Sequence, residues 1–497
     1  MTAVKSDGFA LPDDRLTSQV PTRVRYKVLA LVCVLAMITY LDRVCFGAAA
    51  PSIVRDLGLA SIANLRWAFA AFTLAYALFE VPSGWLGDVF GPRNVLIRVV
   101  LWWSLFTALT GVVGLSVGGY VLGGLGVLVI VRFLFGVGEA GAFPGITRAL
   151  HNWFPYHQRG LAQGTVWMCA RLMGGLTPLV FTILVAGIGH PAAGQTAGNI
   201  SSSLLPPLLS WRAVFWVFGL VGVLWCTVFA IWFRNRPEEK PEVNAAELAL
   251  IRAGGADSSP SHVGVPWRRI LTSPDLWLLW LSYACLSYGW WFHITYLPDY
   301  LEQNCHLPAT SLFGAIGKGG PLCLGALGCI TGGFLTDWFI RRTGNRCWGR
   351  RLFGVLGFSL TALCFLVCGM KPGTGAFLVM IALAGFCTDL SMASSWATCQ
   401  DIGKRYAAIV AGFMNMIGNF GGTAANWIFG FVLERSLTAH AHSLGTVVEL
   451  LSPAEKSVGL GHGYQINFLI SAAMYVIGAL CWLRINATRP IAAEGQD

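Results

Sequence analysis

The sequence predicts an all-α integral membrane protein, with twelve transmembrane helices in two pseudo-symmetric six-helix bundles around a central cavity. Three observations predict it. Charged residues make up 12 % of the chain, about half the share of a soluble domain, while 55 % are hydrophobic and Gly (59) and Trp (20) are abundant. Twelve apolar runs are each long enough to cross a bilayer, for which about 20 residues suffice. The last six runs also repeat features of the first six. A 497-residue chain of this composition cannot cover itself with enough charge to remain in water.

The first run, 27–50, follows a polar tail (1–25) and spans by itself, so no cleavable signal is predicted. Runs at 66–87, 95–115, 119–148, 159–188 and 211–233 complete an N-terminal bundle, 26–233. The one long polar stretch, Arg234 to Ser273, carries RNRPEEKPE, a helix-like AAELALIRA and GGADSSPSH. It is read as a linker (234–273). Runs at 275–300, 311–340, 351–370, 374–400, 406–434 and 464–484 form a second bundle, 274–485, before a short tail, 486–497. Several runs exceed the bilayer and are expected to tilt. Two loops, 189–210 and 436–462, look inserted on the outer side.

The net charge of +10 is a topology signal. Most Lys and Arg lie in the tails and in alternate loops, which puts both termini in the cytoplasm by the positive-inside rule and predicts no nucleic-acid partner. The expected location is the cell membrane, the inner one in a bacterium, and a monomer in the lipid bilayer is expected. The 14 Cys fall mostly within apolar runs without paired ligand spacing, as small apolar filler does. No metal and no cofactor are predicted. NIS at Asn199 and NAT at Asn486 match a glycosylation pattern that also arises by chance.

The repeat shows in two places. GWLGDVFGPRN (Gly84 to Asn94) follows the second run and GGFLTDWFIRR (Gly332 to Arg342) follows the eighth, half a chain apart. RGLAQGTVWMCARLMGG (Arg159 to Gly175) echoes RYAAIVAGFMNMIGNFGG (Arg405 to Gly422), and aligning Gly164 with Gly412 sets Arg171 opposite Asn419. Internal repeats of this size build many secondary transporters, with the substrate between them near the midplane.

The G-x-x-x-D-x-x-G-x-R pattern from Gly84 to Arg93 resembles the loop signature of the major facilitator superfamily. Asp88, Arg93, Asp337 and Arg341 are the candidate gate residues. Glycine lets helices approach, and the aspartate caps a neighbouring helix or pairs with an arginine in one state. Val89 and Pro92 stand where that family usually has basic residues. YLDR (Tyr40 to Arg43), RFLFGVGEAGAFP (Arg132 to Pro144), WFPYHQRGLAQG (Trp153 to Gly164), ITYLPDYL (Ile294 to Leu301) and GFMNMIGNFGG narrow the resemblance. They are similar to the anion:cation symporter family, which includes bacterial hexuronate, galactonate and glucarate transporters and animal sialin. The resemblance covers about residues 25 to 485 and implies proton-driven import of an organic anion, with Asp42 and Glu139 carrying protons.

Ionisable side chains within a membrane helix are costly and usually functional. Asp42, Arg43, Glu80, Arg132, Glu139 and Arg171 lie in the first half, and Asp389 in the second. Arg132 and Glu139 share a helix face about two turns apart; they serve proton coupling with Asp42, or form a fixed structural pair. Tyr40, Arg43, Tyr76 and Arg171 are candidate carboxylate contacts, Arg171 being an unusual cation for relatives of this kind. Ser395, Asn415 and Asn419 are candidate hydroxyl contacts, and Tyr283, His293 and Trp396 further candidate substrate-binding residues on the cavity wall. His293 and the tryptophans also fit plain packing, Asp389 fits structural pairing (with Arg171 among others), and Glu80 fits gate contact or solvent exposure.

The expected function is secondary active, proton-coupled import of a small organic anion by alternating access. Sugar acids, aromatic acids and dicarboxylates all suit the cavity. A proton-coupled exporter or exchanger of amphipathic compounds is the nearest alternative. A membrane enzyme is remote, because the nine His show no nucleophile–base or metal spacing.

Overall fold

The computed structural model describes residues 20–59, 62–117, 120–187, 206–253, 264–307 and 312–491. Among them nine helices are long and apolar enough to cross a membrane, one a run of 70 residues, Thr374–Ser443, that folds back on itself. Divided at that turn, and joined by Pro92–Thr110 and the broken Pro274–Gln303, they make twelve. The helices are α1 (Val24–Asp56), α2 (Arg66–Phe90), α3 (Pro92–Thr110), α4 (Leu125–Trp153), α5 (Tyr156–Val185) and α6 (Trp211–Trp232), then α7 (Pro274–Gln303), α8 (Gly317–Thr343), α9 (Arg346–Gly369), α10 (Thr374–Gly403), α11 (Ala407–Ser443) and α12 (Pro453–Arg484).

Three of these are interrupted. The α4 helix breaks at Ala140 and Gly141, and α10 breaks at Ser391. The breaks follow Glu139 and Asp389 closely, at equivalent places in the two halves. The α7 helix passes through a π turn, Phe292–Tyr296. Pro298 follows it, and a proline ring crowds the carbonyl four residues back, which a wider turn relieves.

The structure corrects several boundaries. Residues expected to end α3 and begin α4 form a small antiparallel hairpin, β1 (Leu115–Val117) with β2 (Tyr120–Leu122). Most of the expected 436–462 loop is helix: α11 runs on to Ser443, and α12 starts at Pro453 behind a Ser452/Glu455 capping box. The cap starts the second of these helices well before its apolar stretch. Most of the 189–210 loop, including Asn199, lies outside the described residues. Asn486 caps its own turn, accepting from the Thr488 N–H and hydroxyl.

Contact between the halves runs mainly through α2 with α11 and α5 with α8. Glycine makes it possible. A Cβ at Gly84 would strike the Ala408 carbonyl, and one at Gly333 the Gly160 carbonyl; Gly412 and Gly164 face Glu80 and Cys329 backbone in the same way. The four positions are two-fold equivalents. They lie toward the face that carries both described termini, called here the terminal face.

On that face the linker folds. Its helix Ala245–Ala253 puts the buried Glu247 carboxylate under the start of α1. It accepts from Thr22 Oγ1 (2.6 Å), the N–H groups of Val24 (2.9 Å) and Arg25 (3.1 Å) and the Arg25 guanidinium (2.9 Å). Burial alone would push this carboxyl up, but these donors outweigh it and hold it below its ordinary value. A negative group at a helix N-terminus also satisfies donors the helix leaves open.

Candidate functional site

The predicted ionisable residues converge between the halves. Arg43 on α1 donates Nε (3.1 Å) and Nη2 (2.6 Å) to Glu139 Oε1 at the α4 break. Its guanidinium also lies against the rings of Tyr76 (4.6 Å), Tyr40 (5.4 Å) and Phe72 (5.5 Å), and its side chain keeps 26 % of its surface open. Arg43 is therefore paired and aromatic-lined yet still reachable.

Arg132 and Glu139 share a face of α4 as predicted, but Arg132 forms no ion pair with it. The Arg132 guanidinium is clasped by the rings of Phe46 (4.3 Å), Phe135 (4.4 Å) and Phe72 (4.9 Å). It acts on the acids at longer range, within the field of both Asp42 and Glu139. Asp42 is buried and holds one weak bond, from Thr107 Oγ1 at 3.5 Å. Asp42 Oδ1 and Glu139 Oε2 have no hydrogen-bond partner among the described residues. Such acceptors are costly in an apolar interior.

Arg171 on α5 crosses to the other half. It grips Asp389 with a two-pronged contact, Nε to Oδ2 at 2.9 Å and Nη2 to Oδ1 at 3.0 Å. Nη1 donates to Tyr40 Oη at 3.3 Å, and the guanidinium lies 3.7 Å from the Trp290 ring centre. Trp290 stacks in turn on His293, which its place in the π turn of α7 brings there. Tyr40 thus touches both arginines, its ring under Arg43 and its hydroxyl on Arg171. The sequence left the pairing of Asp389 open; the geometry joins it to Arg171.

Glu80 is the residue that the sequence reading underestimated. It is fully buried, not exposed. It accepts from Asn415 Nδ2, and from Asn419 Nδ2 at 3.4 Å, both on α11; Asn415 Nδ2 also donates to Tyr76 Oη at 3.1 Å. Trp396 is fully buried against Trp167, Phe143 and Tyr283, and donates Nε1 to Tyr283 Oη at 3.2 Å. Ser395 stands apart from these contacts, its hydroxyl donated to Ser391 O.

The gate residues divide. Asp88 accepts from the N–H groups of Ala408 (3.1 Å) and Ile409 (2.8 Å) at the start of α11. Asp337 accepts from those of Gly160 (3.1 Å) and Leu161 (2.6 Å) early in α5. Each aspartate therefore caps a helix of the opposite half. Arg93 instead holds its own half together, on the carbonyls of Phe233 and Ala230, and Arg341 is exposed. The arginines at the gate are ones not predicted. Arg148 lies 3.7 Å from Asp88, and Arg350 spans Asp337 (3.3 Å) and Asp401 (3.0 Å). Arg159 reaches Asp401 across the halves at 3.0 Å. Arg159 stood in view at the head of a repeated segment; Arg350 and Asp401 carried no comparable signal. On the terminal face these contacts tie the two halves together.

Comparison with known proteins agrees with this architecture. A family model described as Major Facilitator Superfamily matches residues 32–426. A probable sulfoacetate transporter, SauU, of Cupriavidus necator is 31% identical over 93% of this chain and 94% of its own. A probable galactarate/D-glucarate transporter, GudP, of Escherichia coli is 28% identical over 83% and 88%. Among solved structures, the proton:xylose symporter XylE superposes with a TM-score of 0.65 over 94% of this chain and 96% of that one, at 15% identity, a likeness of fold.

Proposed function

The chain belongs to the Major Facilitator Superfamily, as a multi-pass secondary transporter and not an enzyme, and on that premise we propose that it imports a small organic anion together with protons. The relatives named for sulfoacetate and for galactarate/D-glucarate support an acidic, water-soluble substrate. In this reading the terminal face is cytoplasmic, and the bundles 26–233 and 274–485 rock about the site between them.

One observation carries the reading: the reachable Arg43 is held by Glu139 beside Asp42, a buried carboxyl with an unpartnered oxygen. A substrate carboxylate arriving at Arg43 competes with Glu139 for the guanidinium. The freed Glu139 then takes a proton, because an unpaired charge inside the membrane costs more than a neutral acid. Asp42 takes another. Tyr40 and Tyr76 flank the bound anion, Arg132 fixes the local field, Arg171 adds positive charge, and Asn415 and Asn419 bind hydroxyls. With its charges neutralised, the loaded site passes the midplane as the Asp88 and Asp337 caps release. On the cytoplasmic side, loss of both protons returns Glu139 to Arg43, restores the Asp42 carboxylate and expels the anion.

The test is uptake in proteoliposomes under a pH gradient. Glu139→Gln should abolish proton-driven accumulation and leave substrate exchange intact. A variant that still concentrates substrate would remove the proton role.

A further inference from the structure

Resting on that reading, we infer that Arg171 and Asp389 form a second, cross-half anion subsite, with Asp389 as a further proton-carrying residue. The substrate class is then an acid with two separated anionic groups. Asp389 follows Glu139 by the same half-chain offset, within one residue, that relates Asp88 to Asp337, and each acid lies within two residues of a helix break. Each is held by one arginine from another helix. The site therefore contains two internal ion pairs, with Tyr40 touching both arginines. Two guanidiniums bridged by one tyrosine suit a diacid better than a monoacid.

The contact on Arg171 has the geometry of a bound substrate acid. Two parallel N–H···O bonds join the guanidinium to a carboxylate, which is how arginine recognises free carboxylates. Asp389 is in effect a tethered competitor. The other polar groups around it are few. Cys329 on α8 and Tyr475 on α12 lie within its field, the Tyr475 hydroxyl is engaged by Thr388, and Gly325 on α8 leaves the space that its Oδ2 occupies. His293 on α7 feels the charge of Arg171 from beyond Trp290. No second cation pairs with Asp389 among the described residues.

When the second anionic group of the substrate takes Arg171, the Asp389 carboxylate is left in a low-dielectric interior and takes one proton from the outer aqueous side. The tie between α5 and α10 opens in the same step, so occupation is coupled to separation of the halves. On release, Asp389 loses that proton to the cytoplasmic side and recaptures Arg171. A monoanion fills only the Arg43 subsite and leaves the tie closed.

The experiment compares matched acids, galactarate with galactonate and succinate with butyrate, on the purified full chain by thermal shift and by uptake in proteoliposomes. The wild type should be stabilised by a diacid at concentrations at least tenfold below its monoacid partner. Proton stoichiometry, read from the pH gradient that halts net flux, should fall by one per substrate in Asp389→Asn, while diacid binding tightens because the competitor is gone. Should that variant misfold, R171Q/D389N removes both charges together and is expected to bind the two acids of a pair within about threefold of each other. An unchanged proton count in D389N, or a diacid preference retained in the double variant, overturns the inference while leaving Glu139 coupling intact. Equal binding of diacid and monoacid by the wild type overturns it as well. No stabilisation by any of these acids would sink the proposed function itself.

Discussion

The two halves are closely alike at the terminal face and unlike in the middle. At the gate, Gly84 and Asp88 do to α11 what Gly333 and Asp337 do to α5, down to a pair of accepted N–H groups apiece. In the middle, the first half supplies Asp42, Arg43, Glu80, Arg132, Glu139 and Arg171, and the second supplies Asp389 with amides and aromatic rings. Rocking needs equivalent surfaces on both bodies, since each must close against the other. Substrate chemistry needs no such symmetry. A repeat preserved where the halves meet and lost among the proposed substrate contacts is what that division of labour would produce.

The comparison can be broken in four ways. Arg43→Lys should reduce substrate affinity most, by about 100-fold, because an ammonium cannot make the two-pronged contact; near-normal affinity in a binding assay would place the first carboxylate subsite outside the charged half. Asp88→Asn and Asp337→Asn should each slow exchange about tenfold, consistent with loss of one charge-assisted cap. If one slows exchange far more than the other, the gate is not two-fold in function. Gly84→Ala and Gly333→Ala should weaken closure of the terminal face by about 1–3 kcal/mol each through overpacking against backbone, read as increased labelling of a cysteine introduced there. The smallest effect is expected in the linker, on the terminal face but apart from the Asp88 and Asp337 caps. Glu247→Gln should cost about 1 kcal/mol of stability, read from the melting temperature. Because the Glu247 carboxyl is held below 4.5, its contribution in the wild type should be complete above that pH and disappear as pH falls through the lowered folded value; a melting temperature equally pH-sensitive in wild type and variant would discount it.

The fold was highly legible. Apolar runs are local, and twelve of them could be counted without any tertiary information; their ends could not, because caps such as Ser452/Glu455 carry a helix well beyond its apolar stretch. Asp88 and Asp337 were legible as a pair because the repeat displays them. Which acid meets which base was not. Arg43 and Glu139 are on different helices, as are Arg171 and Asp389, so their pairing depends on packing angles that periodicity does not record. Glu80 was only partly legible for a related reason: its position along α2 left gate contact or solvent exposure open, and the approach of α11 through Gly412 buries it. Nothing in the chain marked Arg350 for a gate fed by the ninth helix.

The π turn at Phe292–Tyr296 places one residue more in α7 than an α-helix would hold over the same rise. A π turn absorbs that surplus by widening, so the helix on either side of it keeps its angular phase. Trp290, lying over Arg171, is on one side of that turn. Tyr300, packed against Phe377 and Tyr464, is on the other. Deleting a single residue from the turn would wind it back to an ordinary α turn over the same rise and leave both contacts in place, whereas a deletion in the α-helical part between them would swing them about 100° apart. The fit of this helix is thus specified by a residue count as much as by residue identity.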